Sequence, residues 1–198
     1  VGAAGFAGAE LTRLLLGHPS FDLRVITSDA LAGRALAEVY PAFAGTSDLV
    51  FSKHDQNALA DLDVAFLAVP HTASLAMTPD LIAAGTTVID LSADYRLKDP
   101  AIYEKWYKVA HTSTDLLAKA AFGLPELTGD ELASAATRRA AGEAVLVACA
   151  GCYPTATSLA AAPFLRAGLV EEGATVIVDA LSGITGAGKK ATERTHFC

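Results

Sequence analysis

Residues 144–156, AVLVACAGCYPTA, pass from a near-continuous apolar run through Ala150-Gly151 into a segment that carries Pro154 close to its start. A short apolar run bounded by turn residues reads as a strand buried on both faces, and Pro154 to Ala167 reads as the helix that follows it. Cys152 stands at the junction. A cysteine there faces the unpaired backbone N–H groups and the positive end of the helix dipole, surroundings that favour thiolate over thiol. Cys152 is therefore a candidate nucleophile, set against the alternative of a small buried hydrophobe.

The same alternation extends to both sides. Ala7 to Leu16 predicts a helix with Leu11, Leu14 and Leu15 on one face, stopped by Gly17-His18-Pro19. Leu23 to Thr27 predicts a short strand, and Val64 to Val69 a buried one that ends at Pro70. Ala73 to Ala84 predicts a helix broken around Pro79 and closed by Gly85, followed by a β-branched strand over Thr87 to Leu91. Asp99 to Phe122 predicts short helices covering a sheet edge, with Tyr103, Trp106 and Tyr107 in the core. Asp130 to Ala141 predicts a helix ended by Gly142, Ala144 to Ala148 a strand, and Thr175 to Leu181 a further strand. Strands alternating with helices of about 10 to 15 residues imply right-handed crossovers and a mostly parallel sheet. The expected fold class is α/β: a Rossmann-like, doubly wound sheet over residues 1–150, then the start of a second, α+β catalytic domain over 151–198.

A chain of 198 residues, 52% of them apolar, can fill a real core. Its net charge of -7 argues against a nucleic-acid backbone as the main partner. Every apolar run is cut by Asp, Gly or Pro before it reaches the ~18 to 20 residues of a membrane span, so no membrane partner is expected. Three cysteines, two of them in Cys149-Ala150-Gly151-Cys152, do not resemble the framework of a small secreted domain, and a cytoplasmic location is expected. Both ends read as cut: the first residues are a glycine turn without its preceding strand, and Thr195 to Cys198 bring no closing element. Marginal stability is the matching expectation.

Gly2, Gly5 and Gly8 form GxxGxxG, a variant of the dinucleotide fingerprint in which glycines let a pyrophosphate approach a helix N-terminus. A small-residue helix contact is the alternative. Beyond the second strand, Ser28 and Arg34 suit the 2′-phosphate of NADP, whereas Asp29 argues for a free ribose hydroxyl; NADP is the expected cofactor. The CxxC pair admits a thioredoxin-like redox reading, and His196 with Cys198 could complete a zinc set, though with poor spacing. No metal is expected.

Taken together, GAAGFAGAEL (2–11), FLAVPH (66–71), VIDLSADYRL (88–97), FGLPEL (122–127), GCYPTA (151–156) and VDALSGITGAGK (178–189) occur in the order seen in N-acetyl-gamma-glutamyl-phosphate reductases, and the chain resembles that family over its whole length. More distantly it is similar to aspartate-semialdehyde dehydrogenase. The resemblance implies an NADPH-dependent reduction of N-acetylglutamyl 5-phosphate to its semialdehyde in arginine biosynthesis, by a full-length protein that forms homo-oligomers. It implies that Cys152 forms a thioester with the acyl group, and that the backbone N–H groups after it stabilise the oxyanion. Arg96 would clamp the leaving phosphate, against the alternative of a surface ion pair with Asp94 or Asp99. Ser182 and Gly183 would line the substrate, and Gly186 and Gly188 the nicotinamide. The turn Gly2, Gly5, Phe6, Ala7 and Gly8 would hold the cofactor phosphates. His71 would either face the same crevice or serve structure. His111 and His196 match common family positions without an assigned role. Two features depart from the family. Cys149 and Ala150 replace its usual Asn and Pro, and the general acid-base histidine that the family implies falls beyond Cys198.

Overall fold

The computed structural model describes residues 1–55, 59, 61–193 and 195. The reading of His196 and Cys198 as zinc ligands therefore lies outside the described residues. By contact density the chain divides into two units, Val1–Val69 with Ser182–Cys198, and Pro70–Leu181.

In the first unit α1 (Phe6–Leu16) begins at Gly5 and stops at Gly17. Its buried stripe is Gly8, Ala9, Thr12 and Leu15, while Leu14 is 52% exposed. The expected Leu11–Leu14–Leu15 face is thus turned. The small side of the helix, Gly8 and Ala9, is the side that can approach the glycine turn, and Thr12 stays with it by donating its hydroxyl to the Gly8 carbonyl at 2.8 Å. Only Ile26–Thr27 of the expected second strand forms β1. α2 (Leu36–Val39) follows, and β2 (Phe51–Ser52) pairs parallel to β1 with Ile26 opposite Phe51. β3 (Val64–Leu67) comes next. Beside it run the first residues of the chain: the Val1 amino group donates to the Phe66 carbonyl at 2.7 Å, and the Val1 carbonyl accepts from Ala68 at 2.9 Å. Ala3 then donates to the Thr27 carbonyl at the end of β1. Ala3, Ile26, Leu36, Phe43 and Phe51 pack together as this unit's core.

The second unit opens with α3 (Ala73–Ala83), which runs through Pro79 rather than breaking there. Proline removes one intrahelical N–H bond, but Ser74, Leu75, Thr78 and Leu81 bury a common face on either side of it, and that packing holds the helix together. Gly85, at φ +88°, turns the chain into β4 (Thr87–Asp90). α4 (Pro100–Tyr107) starts from an Asp99 cap that accepts the Ala101 N–H at 2.8 Å, with Pro100 preset for the first turn. Tyr103 is fully buried and stacked on Tyr107, but Trp106 is 70% exposed and does not join the core.

α5 (Thr114–Lys119) leads to β5 (Ala121–Gly123), a strand within and just beyond the stretch where only short helices are expected. α6 (Pro125–Ala140) begins earlier than Asp130 because Pro125 supplies the helical start and the Thr128 hydroxyl replaces local backbone bonds at a kink, reaching the Phe122 carbonyl at 2.6 Å. β6 (Leu146–Cys149) and α7 (Cys152–Arg166) close the unit. Within it β4, β6 and β5 lie side by side and parallel, with Val88 opposite Leu146 and Gly123 opposite Cys149. The strand expected over Thr175–Leu181 does not form: Ile177 and Leu181 are 88% and 96% exposed. A β-branched run becomes a strand only where a neighbour takes its backbone groups.

Candidate active site

The turn between β6 and α7 places Cys152 in the first position of the helix, two residues earlier than the predicted start at Pro154. Gly151 is the N-cap, in an extended conformation and without a side chain, so the helix N-terminus is open where Cys152 is exposed. Cys149, the last residue of β6, is half-buried; burial pushes its thiol above its ordinary range while Arg96 acts the other way. The two thiols of the CxxC pair thus differ in exposure.

Arg96 reaches this turn from the loop after β4. Its Nε donates to the Cys149 carbonyl and one Nη to the Leu91 carbonyl, each at 2.7 Å. A guanidinium held at two edges in one plane spans the carboxyl ends of β4 and β6. Its other Nη lies 2.9 Å from where a Cβ on Gly151 would stand. A side chain at 151 would push the arginine away from these two carbonyls. The alternative surface pairing of Arg96 is not what forms: Asp99 caps α4, and Asp94 accepts from Thr72, Ser74 and Tyr103. His71 is exposed, its ring 5.8 Å from that of Tyr107. His111 is a buried structural histidine; its Nδ1 accepts the Ser113 N–H, so Nε2 carries the proton donated to the Asp94 carbonyl.

In the first unit the glycine turn has two kinds of glycine. A Cβ on Gly2, which adopts φ +75°, would run into the Ala68 carbonyl, and one on Gly8 would stand 2.6 Å from the Ala3 Cα. Packing demands both. A Cβ on Gly5 would meet only the Gly2 carbonyl, at 3.7 Å, so the space at the N-terminus of α1 beside exposed Phe6 and Ala7 is open. That opening, with unpaired N–H groups behind it, fits a dinucleotide pyrophosphate. Ser28 follows β1, buried, with its N–H on the Ser52 carbonyl. Asp29 is committed in part to the His54 N–H at 2.8 Å, and exposed Arg34 lies 3.5 Å from Glu38.

Ser182, Gly183, Gly186 and Gly188 belong to this unit and surround a short 3-10 turn, Ile184–Ala187. A Cβ on Gly186 would press on the Ser182 hydroxyl at 2.6 Å, and Gly188 takes φ +88°. Lys189, the last residue of the VDALSGITGAGK stretch, follows them. It donates to the Ala4 carbonyl at 3.2 Å and the Tyr40 hydroxyl at 2.8 Å, with its ammonium 4.1 Å from the Tyr40 ring centre. Tyr40 in turn donates to the Ala4 carbonyl at 2.8 Å. The 182–189 loop is thereby tied to the glycine turn, with a cation beside it. Nothing in the local sequence around Lys189 points to Ala4; only a pairing across the chain could have found it.

The family described as semialdehyde dehydrogenase, NAD binding domain, matches residues 1–135, and semialdehyde dehydrogenase, dimerisation domain, matches residues 152–198. Proteins named N-acetyl-gamma-glutamyl-phosphate reductase are 43% identical in Janthinobacterium sp. (strain Marseille) and 46% identical in Syntrophobacter fumaroxidans, each over 100% of this chain and 54% of the relative. The chain spans about half the length of the relatives it matches. Among solved structures, aspartate semialdehyde dehydrogenase II of Vibrio cholerae, complexed with ASA, aligns with TM-score 0.60 and 17% identity over 84% of this chain and 45% of that one. Aspartate semialdehyde dehydrogenase with NADP from Candida albicans aligns with TM-score 0.56 and 16% identity, covering 83% of this chain and 46% of that one. These likenesses agree on the α/β fold. No helix among the described residues is long and apolar enough to cross a membrane.

Proposed function

The chain belongs to the semialdehyde dehydrogenase family, and from that premise we propose that the protein carries out the NADPH-dependent reduction of N-acetylglutamyl 5-phosphate to N-acetylglutamate 5-semialdehyde, with release of phosphate. The observation that carries this reading is the Arg96 guanidinium pinned against Gly151 beside exposed Cys152. The Cys152 thiolate attacks the acyl carbon, the C–O bond to phosphate breaks, and a thioester remains on the enzyme. Arg96 takes the departing phosphate, whose charge and spacing suit a planar guanidinium. N–H groups at the start of α7 stabilise the oxyanion as it forms. The bound dinucleotide would supply a hydride to the thioester carbonyl, and collapse of the resulting tetrahedral oxyanion would release the aldehyde and return the Cys152 thiolate.

Gly2, Gly5, Phe6, Ala7 and Gly8 form the turn for the cofactor pyrophosphate, with the Lys189 ammonium nearby. Ser28 and Arg34 serve the 2′-phosphate, for which Asp29 is less of an obstacle because it accepts from His54. Gly186 and Gly188 line the nicotinamide, and Ser182 with Gly183 the acyl substrate. Residues 1–150 act as the cofactor domain and 151–198 begin the catalytic and dimerisation domain of a cytoplasmic homo-oligomer in arginine biosynthesis. The test is the reverse reaction, phosphate-dependent reduction of NADP with N-acetylglutamate semialdehyde or aspartate semialdehyde as donor. Cys152→Ser is expected to abolish turnover while NADPH still binds; retained turnover refutes the covalent route, and a preference for aspartate semialdehyde refutes the substrate.

A further inference from the structure

Two carboxyl groups, Asp90 at the end of β4 and Asp94 in the following loop, are wholly excluded from solvent, and among the described residues neither pairs with a lysine or arginine. Ser74 stands between them. Its Oγ is 2.9 Å from Asp90 Oδ2, 2.9 Å from Asp94 Oδ2 and 2.9 Å from Ser92 Oγ, and Ser92 Oγ is 2.8 Å from Asp90 Oδ2. These are four oxygen–oxygen contacts at hydrogen-bond distance, but two serine hydroxyls supply only two hydrogens. With both carboxylates ionised, two contacts would set lone pair against lone pair in a site closed to bulk solvent.

One more proton supplies three of the four contacts and leaves only the Ser74–Ser92 oxygen pair without a hydrogen, and the surroundings say where that proton sits. Asp94 Oδ1 accepts the Thr72 N–H at 2.8 Å and the Tyr103 hydroxyl at 2.8 Å, and it lies at the N-terminus of α3, whose dipole favours an anion. Asp90 accepts the Ser92 N–H at 2.8 Å and the Ser92 hydroxyl, and its contact with α3 is to the Ser74 side chain, whereas Asp94 also accepts a backbone N–H at the start of that helix. We infer that Asp90 and Asp94 hold a single proton between them, as a neutral Asp90 donating to Ser74 and Ser74 donating to an ionised Asp94, and that this clasp is the positioning device for Arg96.

The clasp joins strand, helix and loop. Asp90 ends β4, Ser74 lies in the first turn of α3, and Ser92 and Asp94 lie in the loop that delivers Arg96 to the Cys149 and Leu91 carbonyls. It also accounts for Thr72, a β-branched residue at φ +72°, a strained conformation kept in place by the bond from its N–H to Asp94. The titratable groups facing the pair are Tyr95 and Cys149 toward Asp90, and Tyr95, Tyr103 and His111 toward Asp94. Burial pushes the Asp90 carboxyl up, and desolvation and then Asp94 push the Tyr103 hydroxyl up, as a neutral acid beside an anion requires.

Infrared spectroscopy of the protein labelled with carbon-13 aspartate tests the count. A protonated carboxyl band is expected to persist at neutral pH in the parent and to vanish in Asp90→Asn. Phenylglyoxal modification of Arg96, followed by peptide mapping, tests the positioning. Asp90→Asn keeps a neutral donor toward Ser74, so Arg96 is expected to react at the parent rate, whereas Asp94→Asn releases the loop and speeds the reaction by about tenfold, the equivalent of one lost charged hydrogen bond. Ser74→Ala, which removes only the bridging hydroxyl, is expected to speed it likewise and serves where Asp94→Asn does not fold. A parent without the band, or a band that survives in Asp90→Asn, overturns the shared proton. Unchanged Arg96 reactivity in Ser74→Ala overturns the positioning role.

Discussion

Replacing Gly151 by alanine places a methyl group 2.9 Å from an Arg96 Nη and 3.5 Å from Pro154 Cδ, so the guanidinium must retreat by some tenths of an ångström. The backbone itself is not the obstacle: at φ -74° and ψ 163° an alanine is unstrained. What is lost is the alignment of two hydrogen bonds of 2.7 Å from a charged donor. Each bond of that kind contributes about 1.5 to 3 kcal/mol when buried, and Arg96 is half-buried, so losing part of both predicts a cost of about 1 to 2 kcal/mol for Gly151→Ala. In an Arg96→Ala background the methyl group has nothing to displace. There the substitution is expected to cost no more than about 0.5 kcal/mol, because the reduced entropy of the unfolded chain opposes the poorer N-cap. Urea denaturation of the parent, both single variants and the double variant yields a coupling energy of about 1 to 2 kcal/mol. An equal cost of Gly151→Ala in both backgrounds would refute the claim that Arg96 is what glycine at 151 accommodates.

Gly8→Ala drives a Cβ into the Gly2 carbonyl and the Ala3 Cα, backbone that cannot move aside, and is expected to cost about 3 kcal/mol in denaturation. Gly5→Ala, with open space before it, is expected to cost less than about 1 kcal/mol; equal losses would contradict the division of labour in the turn. Iodoacetamide near neutral pH is expected to label Cys152 well before Cys149, whose thiol is half-buried and pushed up; peptide mapping that found the two labelled together would contradict the structure. Burial holds His111 below its ordinary value of 6.5, so its contribution to stability is complete above that pH and is lost as pH falls toward its lower folded value. His111→Asn is expected to flatten the decline, and an unchanged slope in denaturation against pH would exclude His111 as its source. Asp90 has the opposite sign. Its raised folded value means stability falls as pH rises from the unfolded carboxylate range through that value, and Asp90→Asn is expected to remove this slope.

Several parts of this protein were legible in the sequence because they rest on local physics. The two periodicities of strand and helix are properties of neighbouring residues, and so β3, β4, β6 and the helices α1, α3, α6 and α7 could be read within a few positions. Glycine in GxxGxxG and at 151 announces a turn in the backbone, though not which of these positions a side chain would spoil. Cys152 announces itself by standing between a strand and a helix. Local signals failed where partners decide. β5 is three residues long and exists because β6 receives its backbone bonds, whereas the more β-branched 175–181 segment finds no such neighbour and stays exposed.

The site depended still more on distance along the chain. Arg96 chooses the Cys149 carbonyl 53 residues away over the acidic neighbours Asp94 and Asp99, and Lys189 finds Tyr40 across 149 residues. Asp90, Ser74, Ser92 and Asp94 look like ordinary polar positions until α3 is laid against the end of β4. By itself the sequence determined the alternating α/β order, the glycine turn and the place of Cys152 between a strand and a helix, since each follows from the stereochemistry of a short segment. Only the tertiary structure decided which glycines packing requires, which carbonyls hold the arginine and how two buried acids share their hydrogens. Those outcomes turn on the satisfaction of polar groups removed from water, and the available partners exist only once distant segments have met.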